Sequence, residues 1–446
     1  MGTKKDKALI LGAGFSGLLA AKVLSRFFKE VIVVERDPEY TPHSRPGAPQ
    51  IPFSHFIVPF GLRAIEKIFP NYEMTFLHKG GRKIDLCNDI SIVVGSKSAI
   101  RFKSDNYGFL IPRNLIEVSF RELIKQEPNV SILFDTEVTG LLYDYKNHRI
   151  TGATVKSDNK LSNIYADLTI ACLGARSDML KWFEELELDL PPEEKIKINY
   201  TQLAYKARWP SNYNPDYLAT VLRFRDFNKG GYFWRVEDDS EGKPQWLFAI
   251  VTHLREDVQK KKDDFDQICS ELGDPALAKA VKEAAPLTDL ELFKVPFIQR
   301  RFFSKMKKHP KDFIAMGDLQ TVWAPHTALG MATAAQEALC LQELLKGGCQ
   351  NLPLRYYKRT ENIISRYWKL QISQHFAPIT GLSKPSLYTR LLLWYKGQIG
   401  KYSWYDPVLQ LALFRFTWSE RQSVAYLFNP SIIFRVIYYK LFPPRM

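Results

Sequence analysis

The stretch that decides the fold is KALILGAGFSGLLAAKVLSRFFKEVIVVER, residues 7–36. Lys7–Leu11 is a short apolar run and reads as a first strand. It feeds Gly12-Ala13-Gly14-Phe15-Ser16-Gly17, a GxGxxG turn. Leu18–Phe28 reads as a helix with an apolar face, and Val31–Val34 as a second strand ending at Glu35, 18 residues after Gly17. Strand, glycine turn, helix, strand and acid in this order form a dinucleotide site. Gly12 permits the tight turn, Gly14 lets the backbone approach a pyrophosphate, and Gly17 lets helix and strand pack closely. Phosphate oxygens are expected at the helix N-terminus, and Glu35 is placed to accept both ribose hydroxyls. Phe15, Ser16 and Arg36 complete this part of the expected binding set.

Working outward, the 446 residues are 46% apolar and 25% charged, an ordinary mixture for a folded chain with room for two domains. That composition excludes a disordered, fibrous or multi-pass membrane protein. Lys and Arg number 62 against 48 Asp and Glu, a net charge of +14. The charge is not spread evenly. Residues 351–446 hold 14 Lys/Arg and 3 Asp/Glu, or +11, and 20 of the 59 aromatic residues. The remaining 350 residues carry only +3. The opening MGTKKDKALILGAG does not read as a signal peptide. The five cysteines are scattered without a CxxC, which points to a reducing compartment and away from a thiolate metal cluster. The expected location is cytoplasmic.

Two later segments extend the first. ADLTIACLGARSDMLKW, Ala166–Trp182, reads as a strand and a glycine loop around Gly174. DFIAMGDLQTVWAPHTALGMATAAQEAL, Asp312–Leu339, carries a GD pair, a proline and a helix start. With residues 8–36, these resemble the flavoprotein monooxygenases of the para-hydroxybenzoate hydroxylase type. Squalene epoxidase, flavin-dependent halogenases and geranylgeranyl reductases are related to that family. The resemblance covers roughly residues 1–345. It implies FAD as cofactor, with NAD(P)H or a reductase partner as electron source. It implies Asp318 at the flavin ribityl chain, and Pro325, Gly330 and Met331 beside the isoalloxazine ring. It further implies Arg113 at the phosphates, Val138 at the adenine and Gly174 near the adenosine half. RPGAPQIPFSHFIVPFGLRAIEKIFP, Arg45–Pro70, resembles hydroxylases and epoxidases of larger apolar molecules, and brings His55 toward the flavin. His55 and His326, which follows Pro325, are the candidate catalytic side chains. Arg45 is a candidate for a transient NAD(P)H phosphate contact.

The chain departs from the family where GQG usually follows the proline: here it is Ala328-Leu329-Gly330. The Ala328 methyl is expected to move the backbone from the flavin edge or to remove a positive-φ conformation.

The expected class is α/β: a Rossmann-like FAD-binding domain interleaved with an antiparallel-sheet substrate domain, plus a helical C-terminal region. The FAD-binding parts are 1–75, 108–190 and 300–350, the substrate parts 76–107 and 191–299, and the basic aromatic region 351–446. Strands are expected in SIVVG and AIRF, Ile196–Trp209, Tyr217–Arg225, Gly231–Val236 and Gln245–His253, with a helix over Lys260–Glu283. Trp323, Phe233 and His253 are candidate pocket residues, with Tyr232 and Trp234 pointing away from Phe233. Cys172 reads as a small core residue.

No apolar run in the C-terminal region is long enough to span a bilayer. Its Lys, Arg, Trp and Tyr fit a peripheral membrane face; the plainer reading is a helical cap with core aromatics, or a homodimer face. Nucleic acid is not expected as a partner. The leading function is an FAD-dependent monooxygenase. It is expected to hydroxylate or epoxidise an apolar lipid, isoprenoid or polyketide-like substrate with molecular oxygen, through a flavin hydroperoxide. The alternatives are a flavin-dependent reductase of isoprenoid double bonds, a halogenase and a non-catalytic flavoprotein adaptor.

Overall fold

The computed structural model describes residues 5–39, 53–94, 97–223, 229–253, 258–372, 387–418 and 424–444. Arg45, with the part of its segment before Phe53, lies outside the described residues. The strand Lys5–Leu11 sits at the centre of a five-stranded parallel sheet. The order is Phe313–Ala315, Leu168–Ala171, Lys5–Leu11, Phe28–Val34 and Val130–Leu133. Ala8, Leu9, Ile10 and Leu11 are wholly buried. Both faces of a parallel sheet are covered, so its strands are apolar runs and not alternating ones. The helices Phe15–Ser25 and Leu329–Leu345 pack together in the same core. Small residues let the second of these approach closely: a Cβ at Gly61, in the helix Pro59–Ile68, would lie 2.9 Å from the Ala332 Cα. A three-stranded antiparallel sheet, Glu137–Asp144, Arg149–Ser157 and Lys160–Tyr165, interrupts the parallel one in sequence.

The second layer is a large mixed sheet built on the 16-residue strand Glu193–Arg208. This strand pairs antiparallel with Glu291–Arg301 on one side and Trp246–Thr252 on the other. Lys229–Arg235, Ala219–Arg223 and Ile90–Val94 follow, the last pair being parallel. The architecture is the α/β class expected, with a Rossmann-like region, antiparallel sheets and a helical C-terminal region.

Local expectations were corrected in places. The partner of Ile90–Val94 at the sheet edge is Lys97–Ser98, and AIRF is not a strand. Lys260–Glu283 forms two helices, Lys262–Glu271 and Pro275–Glu283. Gly273 has φ +86°, and Asp274 caps the second helix by accepting from the Leu277 N–H at 3.0 Å. Glycine in the left-handed region followed by an Asp cap and a proline ends one helix and starts another.

The helix Leu352–Gln371 is bolted to both layers, and its aromatics are core. Tyr356, Tyr357, Tyr367 and Trp368 are all buried. The Tyr357 hydroxyl accepts from the Ala315 N–H at 2.7 Å, at the edge of the parallel sheet. The Trp368 indole N–H donates to Glu194 at 2.7 Å, in the large sheet. Beyond it, Leu387–Tyr402, Pro407–Trp418, Val424–Leu427 and Pro430–Leu441 form a helical group with its own core of Ile399, Leu409, Phe416, Ile432 and Val436. Asp406, 1% exposed in its side chain, holds that group together. It accepts from the Val408 and Leu409 N–H groups, pairs with Arg435 at 2.6 Å and accepts from the Tyr439 hydroxyl at 3.1 Å. Among the described residues, no helix is long and apolar enough to cross a membrane.

Candidate functional site

One cavity of about 1850 Å³ runs between the parallel sheet, the large sheet and the C-terminal helices. A site for one drug-sized ligand is roughly 300–1,000 Å³, so this volume has room for a cofactor and a substrate together. Every residue expected to bind FAD or take part in catalysis except Gly17 lines it: Gly12, Gly14, Phe15, Ser16, Glu35, Arg36, His55, Arg113, Val138, Gly174, Asp318, Pro325, His326, Gly330 and Met331. Gly17 instead sits beneath the turn, where a Cβ would overlap the Gly12 carbonyl oxygen.

The glycine turn is fixed by close approach. Gly12 has φ +100°, its N–H donates to the Val34 carbonyl at 2.7 Å, and a Cβ there would meet the Cys172 carbonyl oxygen at 2.6 Å. Cys172 is therefore more than a core filler: it is half-buried at the cavity wall, and its thiol pKa is raised by burial. The Glu35 carboxylate accepts from the Ala13 N–H at 2.8 Å and the Asp37 N–H at 3.1 Å, which orients it at the end of the second strand. Arg113 opens the helix Arg113–Ile124. It is buried, pairs with Glu117 at 3.0 Å and lies 5.4 Å from the Phe15 ring centre.

Beside Ser16, Gly317 and Asp318 form a tight turn. Gly317 has φ +67°, and a Cβ on it would collide with the Ser16 hydroxyl. The GD turn thus crosses directly over the start of the glycine-turn helix. Asp318 faces the cavity between the two layers, and its side chain is exposed to that space. Desolvation there raises its pKa, and Arg113 opposes the rise. The 3₁₀ turn Pro325–Thr327 follows, and Ala328 has φ +55° and ψ +24°. The alanine therefore keeps the left-handed conformation, whose loss was one of the two consequences expected of its methyl group. The strain is about 1 kcal/mol, and the helix Leu329–Leu345 begins at once. That helix directs Leu329, Gly330 and Met331 at the cavity.

The two histidines come from different elements, His55 from the strand Ser54–Ile57 and His326 from the 3₁₀ turn. His55 Nδ1 is 2.9 Å from the Phe53 carbonyl oxygen, so Nδ1 carries the proton and Nε2 is the acceptor. Burial, and then the charge of Arg113, push its pKa down to about 3, so the ring stays neutral. His326 meets the His253 ring at 4.6 Å and stacks on Tyr200 at 6.0 Å, and Tyr200 donates to Gln202 at 2.7 Å. Around these polar groups the wall is apolar, with Ile90, Ile92, Val221 and Trp323. Phe233 is not part of it. It is wholly buried on the other face of the sheet against Trp209 and Phe248, and Tyr232 and Trp234 line the cavity instead. The alternation along the strand was read correctly, but its faces were assigned the wrong way round.

Two residues with structural roles at this site were missed. Glu337, on the helix Leu329–Leu345, is 1% exposed, and its carboxylate accepts from the Gly317 N–H at 2.7 Å. Burial pushes its pKa up to about 8. The signal was a lone acid in the apolar stretch AAQEALC. Arg301 donates to the Leu319 carbonyl at 3.0 Å and the Ala175 carbonyl at 3.4 Å, tying the GD turn to the Gly174 loop. No local pattern in the sequence marks that role.

These residues fit FAD. The crowded glycine turn admits a backbone-bound pyrophosphate at the start of the helix Phe15–Ser25, an oriented acid sits at the end of the second strand, and a second helix start faces the far end. Among the described residues, no group of His, Cys, Asp and Glu is placed to hold a metal ion.

Comparison with known proteins agrees. The family model described as FAD binding domain matches residues 5–350. Protein Rv3254 of Mycobacterium tuberculosis is 22% identical over 359 residues, 78% of this chain and 74% of that protein. A triple mutant of the flavin-dependent brominase Bmp2 has a similar structure, with a TM-score of 0.65 at 14% identity, covering 98% of this chain and 99% of that one. PqsL of Pseudomonas aeruginosa, described as a probable FAD-dependent monooxygenase, gives 0.60 at 16% identity, covering 83% and 96%. The chain belongs to the FAD binding domain family, and it is an FAD-dependent oxidoreductase with a monooxygenase-type fold.

Proposed function

We propose that this protein is an FAD-dependent monooxygenase that hydroxylates or epoxidises an apolar substrate. The observation that carries the reading is the shape of this cavity. One end has the polar, crowded features of a dinucleotide cradle, and the other is walled by Ile90, Ile92, Val221, Tyr232 and Trp234. When bound, FAD supplies the electron chemistry and the activation of molecular oxygen, with NAD(P)H or a reductase as the electron source.

The chain's own residues bind, orient and exclude water. Gly12, Gly14 and the helix Phe15–Ser25 receive the pyrophosphate, with Arg113 nearby as a cation. Glu35 would accept from the ribose of FAD and Asp318 from its ribityl hydroxyls. The N-terminal end of the helix Leu329–Leu345 is the positive end of its dipole, and it favours negative charge at the adjoining cavity. His55, held neutral, presents Nε2 as a hydrogen-bond acceptor and not as a cation. His326, braced by Tyr200 and His253, gives the apolar chamber one polar corner for a substrate oxygen. The C-terminal helices close the chamber with Leu393, Phe414 and Trp418 and bring the enzyme to a membrane surface, where apolar substrates dissolve.

The test is oxygen. Purified protein should carry flavin absorbance, and a turning-over substrate should consume one oxygen per product with NAD(P)H or chemically reduced flavin. Full turnover under anaerobic conditions would overturn the reading in favour of a double-bond reductase.

A further inference from the structure

The helices Leu387–Tyr402 and Pro430–Leu441 each bury one face and leave the other apolar and bare. Ile399 and Tyr402 of the first join Ile432 and Val436 of the second in the core of the group. On the outside, Leu391 and Trp394 recur at helical spacing on the first helix, and Phe434, Ile437 and Leu441 on the second. Trp394 is 54% exposed, and Phe434 and Leu441 are each 68% exposed. The two faces adjoin: Lys440 Nζ lies 5.5 Å from the centre of the Trp394 ring. Monomeric soluble proteins rarely leave so many large apolar side chains together in water.

The surrounding charge identifies the occupant. Arg390, Lys401 and Lys440 are exposed on these helices. Asp406 is the one acid among the described residues from 387 to 444, and it is buried against Arg435. A rim of one positive sign suits an anionic lipid surface, where basic side chains meet headgroups and aromatic rings enter the interface. It suits a second copy of the chain poorly, because an isologous contact would bring the same cations together. The same helix also carries Leu393, Lys396 and Gly397 on the cavity wall.

We propose that the apolar face shared by Leu387–Tyr402 and Pro430–Leu441 docks on an anionic lipid bilayer, and that docking sets the helix which walls the substrate chamber at the lipid interface. The proposal deepens the membrane contact in the reading above and rests on it. It narrows that contact to two helices, since the aromatics of Leu352–Gln371 are buried.

The experiment is co-sedimentation of the full-length, FAD-loaded protein with vesicles of phosphatidylcholine, with or without phosphatidylserine. Binding to the phosphatidylserine vesicles should exceed binding to the neutral ones by about tenfold and fall at high salt. The double variant Trp394→Ser/Leu441→Ser should lose about tenfold in partition, with flavin absorbance and thermal midpoint unchanged. Charge reversal at the rim by Arg390→Glu/Lys401→Glu should remove the preference for phosphatidylserine and leave the core untouched. Equal pelleting of all three proteins overturns the proposal. So does a dimer in light scattering that the double variant converts to monomer without vesicle binding by either. Vesicle binding is measured without turnover, so its failure with oxygen consumption intact refutes the docking alone. Binding without oxygen consumption refutes only the monooxygenase reading.

Discussion

Replacing Glu337 by Gln should change how stability depends on pH. The Glu337 carboxyl is buried beneath the Gly317–Asp318 turn, and its pKa rises from 4.5 to about 8. Desolvation is the main cause. The Gly317 N–H opposes it, and the Asp318 charge adds to it. In the unfolded chain the same carboxyl ionises near 4.5. Between these two values the unfolded state has lost its proton and the folded state has kept it, so folding becomes less favourable as pH rises. Each pH unit in the window costs about 1.4 kcal/mol. The cost accumulates from about pH 4.5, reaches about 3 kcal/mol at pH 7 and levels off above about pH 8. Glutamine keeps an oxygen to accept from Gly317 and has no proton to lose. Its amide needs an acceptor, which costs about 1 kcal/mol where the site offers none. Wild type should therefore equal or exceed Glu337→Gln in stability at pH 5 and fall below it at pH 8. Asp318 is also raised, but it is present in both proteins and largely cancels. The measurement is the thermal midpoint of both FAD-loaded proteins from pH 5 to 9. Two parallel curves would refute the reasoning, since they would mean that Glu337 titrates like an ordinary carboxyl.

Seven other substitutions, at six positions, test the site and its packing. Gly14→Val and Asp318→Ala should each purify with little or no flavin, because one blocks the helix start and the other removes an acceptor at the cavity; flavin absorbance per chain reads this, and full loading of both sinks the assignment. Gly12→Ala should fail in the same assay or fail to fold, since the methyl would lie 2.6 Å from the Cys172 carbonyl at φ +100°. Ala328→Gly removes left-handed strain of about 1 kcal/mol and adds unfolded-state entropy of roughly half that or more, so the thermal midpoint should stay level or rise slightly, whereas Ala328→Val should lower it clearly. Phe233→Ala should cost about 3–5 kcal/mol in stability with KM little changed, while Trp234→Ala should shift KM for the apolar substrate at a smaller stability cost.

How far the sequence could be read depended on how local the determining physics was. The glycine turn was legible because its constraints lie within 30 residues: a strand, a φ only glycine adopts easily, and an acid at the next strand end. The GD segment was legible for the same reason. What failed was the assignment of faces. A strand such as Lys229–Arg235 alternates, but the period does not say which side meets the cavity. That choice was made by the helices Lys262–Glu271 and Pro275–Glu283, which pack on the Phe233 side. Glu337 went unread because an acid inside an apolar helix has a reason only when the turn it caps is seen across a gap of 20 residues. The C-terminal region is more instructive. Its charge and aromatic content left a membrane face, a helical cap and a dimer face open, and its aromatic residues serve three purposes. Tyr357 and Trp368 clamp the two layers, Phe414 and Trp418 line the cavity, and Trp394 and Phe434 face outward. Composition cannot separate these, because burial of an aromatic ring is favourable in a core, against a ligand and in a lipid interface alike. The separation comes from charge. The inward faces pair their ions, as Asp406 does with Arg435, and the outward face leaves Arg390, Lys401 and Lys440 exposed at its rim. A flavin enzyme gains nothing in chemistry from such a rim. On the docking proposed above, it gains a fixed orientation on a surface that concentrates apolar substrates.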